Sequence, residues 1–205
     1  MSVKTNEDVD SKKQQILKAA QRCFSRYGFS KTTLDDIATG VGIKKASLYY
    51  YYENKEAIFR DVIDTETKGL ISELRRSVAQ ASSSTEKLFS FAKTQLEYFR
   101  NYVNLHDLSV QVVLEFKPLI NKLYKNLREQ QIEILEEVIE GGIKDGEFNK
   151  CEALRAADSI LTILEAMKFK EFQVTTVQYA SDIDYSKVEE EVNYILNMLL
   201  EGMKR

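Results

Sequence analysis

Side chains that can bind an anion or the edge of a base are concentrated in one short stretch of the chain. Lys44, Lys45 and Ser47 are followed closely by Tyr49 and Tyr50. Ammonium groups and hydroxyls donate hydrogen bonds to phosphate oxygens, and a lysine can also reach O6 or N7 of guanine. The stretch therefore has the composition of a contact with nucleic acid.

The residues around this stretch predict two short helices joined by a tight turn. Thr33, with Asp36 three residues later, is close to a capping box at the start of the first helix. A glycine at position 40 or 42 supplies the unusual dihedral angles that the turn needs. The second helix, over residues 44–50, has Leu48 as its apolar anchor. This is the helix-turn-helix pattern, whose second helix can enter the major groove of double-stranded DNA.

A longer helix is predicted on each side of the motif. Before it, apolar residues recur at helical spacing up to Gly28, where the helix is expected to end; they are Ile16, Ala20, Cys23, Phe24 and Tyr27. After it, Asn54 can cap a helix that runs to about Ala79. Cys23 and Tyr52 are expected to pack in the core.

The remainder of the chain also predicts helices and no strands. Helical stretches are expected at roughly 85–102, 104–116, 118–141, 151–172 and 185–203, with Thr85 as a cap and Pro118 in the first turn of its helix. The predicted fold class is all-α. We expect a disordered tail over residues 1–10, a three-helix DNA-binding domain over 11–60 and a C-terminal helical bundle over 61–205.

Charge is distributed unevenly between these parts. The net charge is −3, but residues 1–60 carry eleven Lys and Arg against seven Asp and Glu. A basic N-terminal quarter is expected of a DNA-binding module joined to another domain. The two cysteines form no CxxC pair, and neither a secretory signal nor an apolar run near about 18 residues is visible. We therefore expect a cytoplasmic protein that does not bind a membrane.

The main competing hypothesis is an enzyme, but the sequence contains few of the residue patterns that an enzyme of this size would need. A carboxylate-bridged di-metal site needs two Glu-x-x-His pairs, but His106 is the single histidine and Val103 stands three residues before it. Neither a phosphate loop nor a Gly-x-Ser-x-Gly elbow occurs. Four glutamates at helical spacing are expected to form a solvated face: Glu133, Glu136, Glu137 and Glu140. No catalytic residue, metal or cofactor is predicted.

The stretch from Ile16 to Phe59 resembles the DNA-binding region of TetR-family (tetracycline-repressor-like) regulators. Three residues depart from the family's usual pattern: Lys44 replaces a hydroxyl residue that could cap the helix, Ala46 replaces Gly, and Tyr52 replaces Phe. The matching residues are Ala19-Ala20, Phe24, Tyr27-Gly28-Phe29, Thr32-Thr33, Asp36-Ile37-Ala38, Val41-Gly42-Ile43, Leu48-Tyr49-Tyr50 and Asn54-Lys55-Glu56.

The resemblance implies a DNA-binding transcriptional regulator, in most cases a repressor that a small molecule releases from a palindromic operator. By this resemblance Thr33, Tyr49, Tyr50 and Lys55 are expected at phosphates or sugars. Lys44, Lys45 and Ser47 are the candidates for base edges. The resemblance also implies a homodimer formed by the last two helices.

Two apolar stripes near the end of the chain could pack on each other or on a partner subunit. The residues taken as the dimer interface are Leu161, Leu164, Val188, Val192, Ile195 and Leu199. Aromatic residues of the middle helices could equally be plain core or line a cavity for an apolar or amphipathic effector: Phe89, Tyr98, Phe99, Tyr102, Phe116 and Tyr124. A bundle without a cavity would instead favour a regulator that acts through another protein on its acidic surface.

Overall fold

The computed structural model describes residues 6–106, 108–123 and 125–204, and within these residues the fold is all-α, as predicted. A short 3₁₀ turn, Ala180–Asp182, precedes the last helix. The helices are α1 (Asn6–Lys31), α2 (Leu34–Val41), α3 (Lys45–Leu48), α4 (Lys55–Gln80), α5 (Ser84–Leu105), α6 (Val110–Leu123), α7 (Lys125–Lys144), α8 (Ala153–Val174) and α9 (Tyr185–Met203). No helix of the described part is long and apolar enough to cross a membrane.

The first four helices enclose the N-terminal part of the core. Ile16 and Phe24 of α1, Ile37 of α2 and Leu48 of α3 are buried in one cluster with Phe59 of α4. Burying a side chain of this size contributes roughly 1.5–3 kcal/mol, which fixes the two short helices although α3 has a single turn. Leu48, the predicted apolar anchor of the second helix, is therefore part of the core together with Ile37 and Ala38.

The remaining helices form a bundle that shares α4 with the N-terminal part. α4 packs on α5 and α7, α7 packs on α8, and α9 lies against α5 and α8. One cluster of buried apolar side chains runs through both parts. The predicted domain boundary between residues 60 and 61 falls inside the 26-residue α4. A movement of this helix therefore displaces residues in both parts.

Two helix starts differ from the predictions. α1 begins at Asn6, so residues 6–10 belong to a helix and not to a tail; residues 1–5 lie outside the described part. Extending a formed helix adds a hydrogen bond for each residue without a new nucleation cost. The cap of α5 is Ser83 and not Thr85, since the Ser83 hydroxyl accepts a hydrogen bond from the amide of Glu86 at 3.1 Å.

The sixth helix also differs, because Pro118 lies well inside α6 and not in a first turn. The chain breaks earlier, where residues 108–110 pair with residues 178–180. The amide of Val110 donates to the carbonyl of Gln178 at 2.9 Å, and that of Ala180 donates to the carbonyl of Leu108 at 2.8 Å. This long-range pairing ends the preceding helical stretch, and Pro118 costs α6 one internal hydrogen bond.

Candidate DNA-binding surface and ligand cavity

The start of α2 is held by the predicted capping box. The Thr33 hydroxyl accepts a hydrogen bond from the amide of Asp36 at 3.2 Å, and the Asp36 carboxylate accepts one from the amide of Thr33 at 2.8 Å. Hydrogen bonds from the side chain and backbone of Thr33 lower the pKa of Asp36. The Thr33 hydroxyl also donates to Asp36 at 2.7 Å, so its oxygen is already engaged in positioning the helix.

Two glycines shape the end of α2 and its packing on α1. Gly42 ends α2 with a φ of 74°, in the left-handed region that other residues adopt with strain. A Cβ atom on Gly40 would lie 3.3 Å from the Cβ of Ala19, so a larger residue there would push α1 and α2 apart. Gly42 thus turns the chain from α2 toward α3, and Gly40 lets α2 pack closely on α1.

All three residues predicted to contact base edges are exposed at the start of α3 or within it. Lys44 occupies the N-cap position and its side chain makes no capping hydrogen bond, as its departure from the family pattern implies. Lys45 donates to Asp35 at 2.8 Å, which raises the pKa of Lys45. Because an exposed ion pair contributes little stability, Lys45 can exchange this carboxylate for an acceptor on DNA. Ser47 is exposed beside both lysines.

The four consecutive tyrosines divide between the surface and the core. Tyr49 is 52% exposed and Tyr50 is 72% exposed. Tyr51 is half-buried with its ring edge-on to Tyr50. Tyr52 is buried, as predicted, and its hydroxyl donates to Asp61 at 2.9 Å. The first two tyrosines are therefore the ones that a nucleic acid can reach.

Lys55 lies away from this group, with its ammonium turned toward the end of α1. Its Nζ donates to the carbonyl oxygens of Phe29 at 2.6 Å and Thr32 at 2.8 Å, with a longer contact to Ser30 at 3.4 Å. It also lies 4.4 Å from the centroid of the Phe29 ring. In this position Lys55 ties the carbonyl end of α1 to the start of α4, a role that sequence reasoning missed.

A cavity of about 520 Å³ lies between α4, α5, α6, α7 and α8. Four of the predicted aromatic residues line it: Tyr98, Phe99, Tyr102 and Phe116. Phe89 does not line it, and Tyr124 lies outside the described residues. A bundle without a cavity would have favoured a regulator that acts through another protein. The presence of this cavity does not support that alternative.

Polar groups that were not predicted also line the cavity. Gln95 and Gln131 are buried and joined by a hydrogen bond of 2.6 Å. Lys117 and Lys168 lie at the wall formed by α6 and α8. Lys168 continues a helical stripe whose other members, Leu161, Leu164 and Phe172, are buried. A lysine at such a stripe position is the signal that could have identified it from the sequence.

Helix α6 joins the cavity to the DNA-binding part by two contacts. Phe116 lines the cavity and packs edge-on against Phe59, with ring centroids 5.3 Å apart. Its neighbour Glu115 accepts hydrogen bonds from the amide and hydroxyl of Ser30, at 2.7 and 2.6 Å. Gly28 makes this approach possible, because a Cβ there would lie 2.5 Å from a Glu115 oxygen.

A second polar connection runs from the cavity wall to α1. Gln21 donates to Glu66 at 2.9 Å and lies 3.1 Å from Nε2 of His106. The His106 ring packs against Tyr102 at 4.7 Å between centroids. Burial lowers the pKa of His106, although the charge of Glu66 opposes this shift. His106 is thus a hydrogen-bonded, half-buried residue.

An arginine of α4 forms ion pairs with two of the four glutamates on α7. Arg75 of α4 contacts Glu133 at 3.0 Å and Glu137 at 3.3 Å. Glu136 and Glu140 line a separate surface pocket beside α8. Within the described residues, no group of three histidine, cysteine, aspartate or glutamate side chains is placed to hold a metal ion.

The residues predicted for the dimer interface are mostly inside the single chain. Leu161, Leu164, Val188 and Val192 are buried, and Ile195 and Leu199 are half-buried. The stripes of α8 and α9 thus pack within one chain, which is one of the two possibilities left open by the sequence. The outer face of α9 instead exposes Tyr194 and Met198, at 64% and 56%.

Comparisons with known proteins support the same fold and the same DNA-binding region. A sequence model of the family described as bacterial regulatory proteins, tetR family, matches residues 16–62. The negative transcriptional regulator IcaR of the biofilm operon icaADBC of Staphylococcus epidermidis is 33% identical over 125 residues, which are 58% of this chain and 67% of that protein.

Solved structures resemble nearly the whole chain. A transcriptional regulator from Cytophaga hutchinsonii is 28% identical, with a TM-score of 0.75 over 96% of this chain and 100% of that one. The regulator FadR from Bacillus subtilis, solved in complex with stearoyl-CoA, is 18% identical and shares the fold, with a TM-score of 0.73 over 92% and 98% of the two chains. The chain therefore belongs to the TetR family of DNA-binding bacterial transcriptional regulators.

Proposed function

We propose that this regulator is a repressor that a small apolar or amphipathic molecule releases from a palindromic operator. The observation that carries the proposal is the position of α6, which forms a cavity wall through Phe116 and holds the end of α1 through Glu115. IcaR, the relative described above, is named as a negative regulator. FadR, which shares the fold, was solved with a fatty acyl thioester.

On the DNA side, α3 enters the major groove and its exposed residues make the contacts. Lys44, Lys45 and Ser47 approach base edges, and Tyr49 and Tyr50 approach the backbone. The amide groups at the start of α2, beside Thr33, approach a phosphate, and the Thr33 hydroxyl holds them in place through its bonds with Asp36. We assign Lys55 to positioning, because its ammonium is bonded to carbonyls of α1.

A homodimer would bring two copies of α3 to one operator. Paired helices of this kind read half-sites about 34–36 Å apart. We place the subunit contact on the outer face of α9, around Tyr194 and Met198 with the half-buried Ile195 and Leu199 beside them, since the other four predicted interface residues are buried within the chain. A Tyr194→Glu, Met198→Glu variant is expected to sediment as a monomer, whereas Leu114→Glu, an exposed apolar position on α6, should remain dimeric. A dimeric double variant would place the interface elsewhere.

Ligand and operator are coupled through the position of α6. A molecule that fills the cavity presses on Phe116, which contacts Phe59 in the core of the DNA-binding part. The same movement displaces Glu115 from Ser30. By linkage, a ligand that favours the displaced arrangement weakens DNA binding by the factor by which DNA weakens ligand binding.

The first experiment selects bound duplexes from a random DNA pool at a stated salt concentration, because affinity for DNA depends steeply on salt. An enriched palindrome supports the proposal and supplies a probe for release by candidate ligands. Absence of enrichment with a folded dimer would refute sequence-specific repression.

The coupling is tested with Glu115→Ala, measured against the same operator. We expect this variant to release the operator at a lower ligand concentration than the wild type, because loss of the contact with Ser30 favours the displaced arrangement that the ligand also favours. The matched control is Glu152→Ala, an exposed glutamate before α8 whose side chain makes no capping hydrogen bond. Identical release curves for Glu115→Ala and the wild type would show that this contact does not transmit the signal.

A further inference from the structure

Two lysine ammonium groups share one aromatic ring at the wall of the cavity. The Nζ of Lys117 lies 3.9 Å from the centroid of Phe169, and that of Lys168 lies 5.3 Å from the same centroid. Lys168 also lies 5.0 Å from the centroid of Phe99. Phe99 and Phe169 line the cavity as well. The lysines are therefore held by aromatic faces at the edge of an apolar space.

Neither ammonium has a carboxylate partner among the described residues. The salt bridges of this part of the chain include neither Lys117 nor Lys168. Glu165 lines the same cavity and acts on Lys168 at longer range. Burial lowers the pKa of Lys168 to about 8, and the charge of Lys117 contributes to this shift. Two like charges held at an apolar wall are costly unless an anion joins them.

A third cation of the cavity wall differs because it has a partner. Arg128 contacts Asp158 at 3.0 Å and donates to the hydroxyl of Thr162 at 2.7 Å. Its other terminal nitrogen, Nη1, is buried and has no hydrogen-bond partner in the described structure. The carboxylates of Glu66, Glu129, Asp158 and Glu165 also line the cavity, so an anion is attracted to the two lysines at Phe169 and not to the wall as a whole.

We propose that the cavity binds an amphipathic anion, with its small negatively charged head between Lys117 and Lys168 and its apolar tail among the aromatic and aliphatic walls. The inference rests on the proposed function for its regulatory meaning, and it names the class of ligand. The apolar part of the lining includes Leu70, Phe99, Tyr102, Phe116 and Ile120. The volume of about 520 Å³ suits a small ligand, since such sites occupy roughly 300–1,000 Å³.

The charge of the ligand distinguishes this site from a plain hydrophobic pocket. A neutral lipophile of the same length fills the walls but leaves both lysines without a counter-ion. A carboxylate or a phosphate monoester accepts charge-assisted hydrogen bonds from both ammonium groups. A quaternary ammonium with the same tail is repelled.

The test measures binding of dodecyl compounds to the full-length protein by titration calorimetry, below their micelle concentrations. The probes are dodecanoate, dodecyl phosphate, 1-dodecanol and dodecyltrimethylammonium. We expect at least one of the two anions to bind about tenfold more tightly than the alcohol, as charge-assisted hydrogen bonds allow. Whichever anion binds more tightly identifies the head group. Binding of the alcohol as tight as that of both anions, or binding of none of the probes, would overturn the proposal.

Variants locate the effect at the two lysines. Lys117→Met with Lys168→Met keeps the unbranched stems and removes both charges, so the preference for the anion should be lost and the alcohol should bind at least as well. The matched control is Lys170→Met, an exposed lysine on α8 that does not line the cavity, which should keep the preference. A double variant that is folded by its melting curve and still prefers the anion would refute the assignment of the head group.

Release of the operator is measured separately from binding. An anion that binds through the two lysines without releasing DNA would contradict the proposed function and leave the ligand class supported. Release of DNA by the alcohol alone would support ligand-responsive repression and overturn the anionic ligand.

Discussion

Lys55 offers a sharp test because the sequence and the structure predict different roles for it. The resemblance to the family places it at a phosphate of DNA, whereas the structure places its ammonium on the carbonyls of Phe29 and Thr32. Lys55→Met keeps most of the aliphatic stem against Phe29 and removes the charge. The variant therefore isolates what the ammonium contributes.

The expected loss of stability follows from the contacts. A hydrogen bond that involves a charged group contributes about 1.5–3 kcal/mol, and the cation over Phe29 adds about 0.5–1 kcal/mol. Since the contacts share one ammonium and water can reach part of this helix end, the terms do not add fully. We expect a loss of about 2–3 kcal/mol in the free energy of unfolding. For a chain of this size that is roughly 4–12 °C in the melting temperature.

The assay combines thermal unfolding with the salt dependence of operator binding. Removing a phosphate contact lowers the slope of log K against log salt by about 0.9 for each phosphate. We expect Lys55→Met to melt lower than the wild type and to keep the wild-type slope. Lys44→Met, at the exposed N-cap of α3, should keep the wild-type melting temperature and weaken binding to the operator more than binding to unrelated DNA. A Lys55→Met protein with unchanged melting and a reduced slope would refute this reasoning.

Three further changes test other parts of the argument. Gly28→Ala places a Cβ 2.5 Å from a Glu115 oxygen at a φ of 77°, so urea unfolding should show a loss of about 1–3 kcal/mol; Gly146→Ala, at a φ of 78° with open space around it, is the control for backbone strain, and equal losses would contradict the steric argument. Thr33→Ala removes the hydroxyl of the capping box and should cost about 1 kcal/mol, which Thr33→Ser should largely restore; no loss in the alanine variant would show that the cap is dispensable. Because burial lowers the pKa of His106, the unfolded state binds its proton first. The stability of the wild type should therefore fall as pH drops below about 6.5, and His106→Gln should reduce this slope in urea titrations at pH 7.5 and 5.5. Parallel pH dependences would exclude His106 as its source.

The helix-turn-helix could be predicted from the sequence because its determinants are local. The reciprocal bonds of Thr33 and Asp36 join residues three apart, and Gly42 supplies its left-handed angle within a single turn. The apolar residues that face the core, such as Ile37 and Leu48, recur at the period of a helix. Spacing of this kind is visible in any single sequence and also carries the resemblance to the family.

Contacts between distant segments decided the rest, since neither spacing nor composition encodes them. The Lys55 ammonium donates to carbonyls 26 and 23 residues earlier in the chain. Helix α6 begins where residues 108–110 pair with residues 178–180. The sequence of the middle helices is compatible with aromatic residues that form a core or that line a cavity. Only the packing of five helices leaves a space between them. The same packing places the ammonium groups of Lys117 and Lys168 near the ring of Phe169. Side-chain positions of this kind depend on all contacts of the folded chain together, so the preference of one side chain does not determine them.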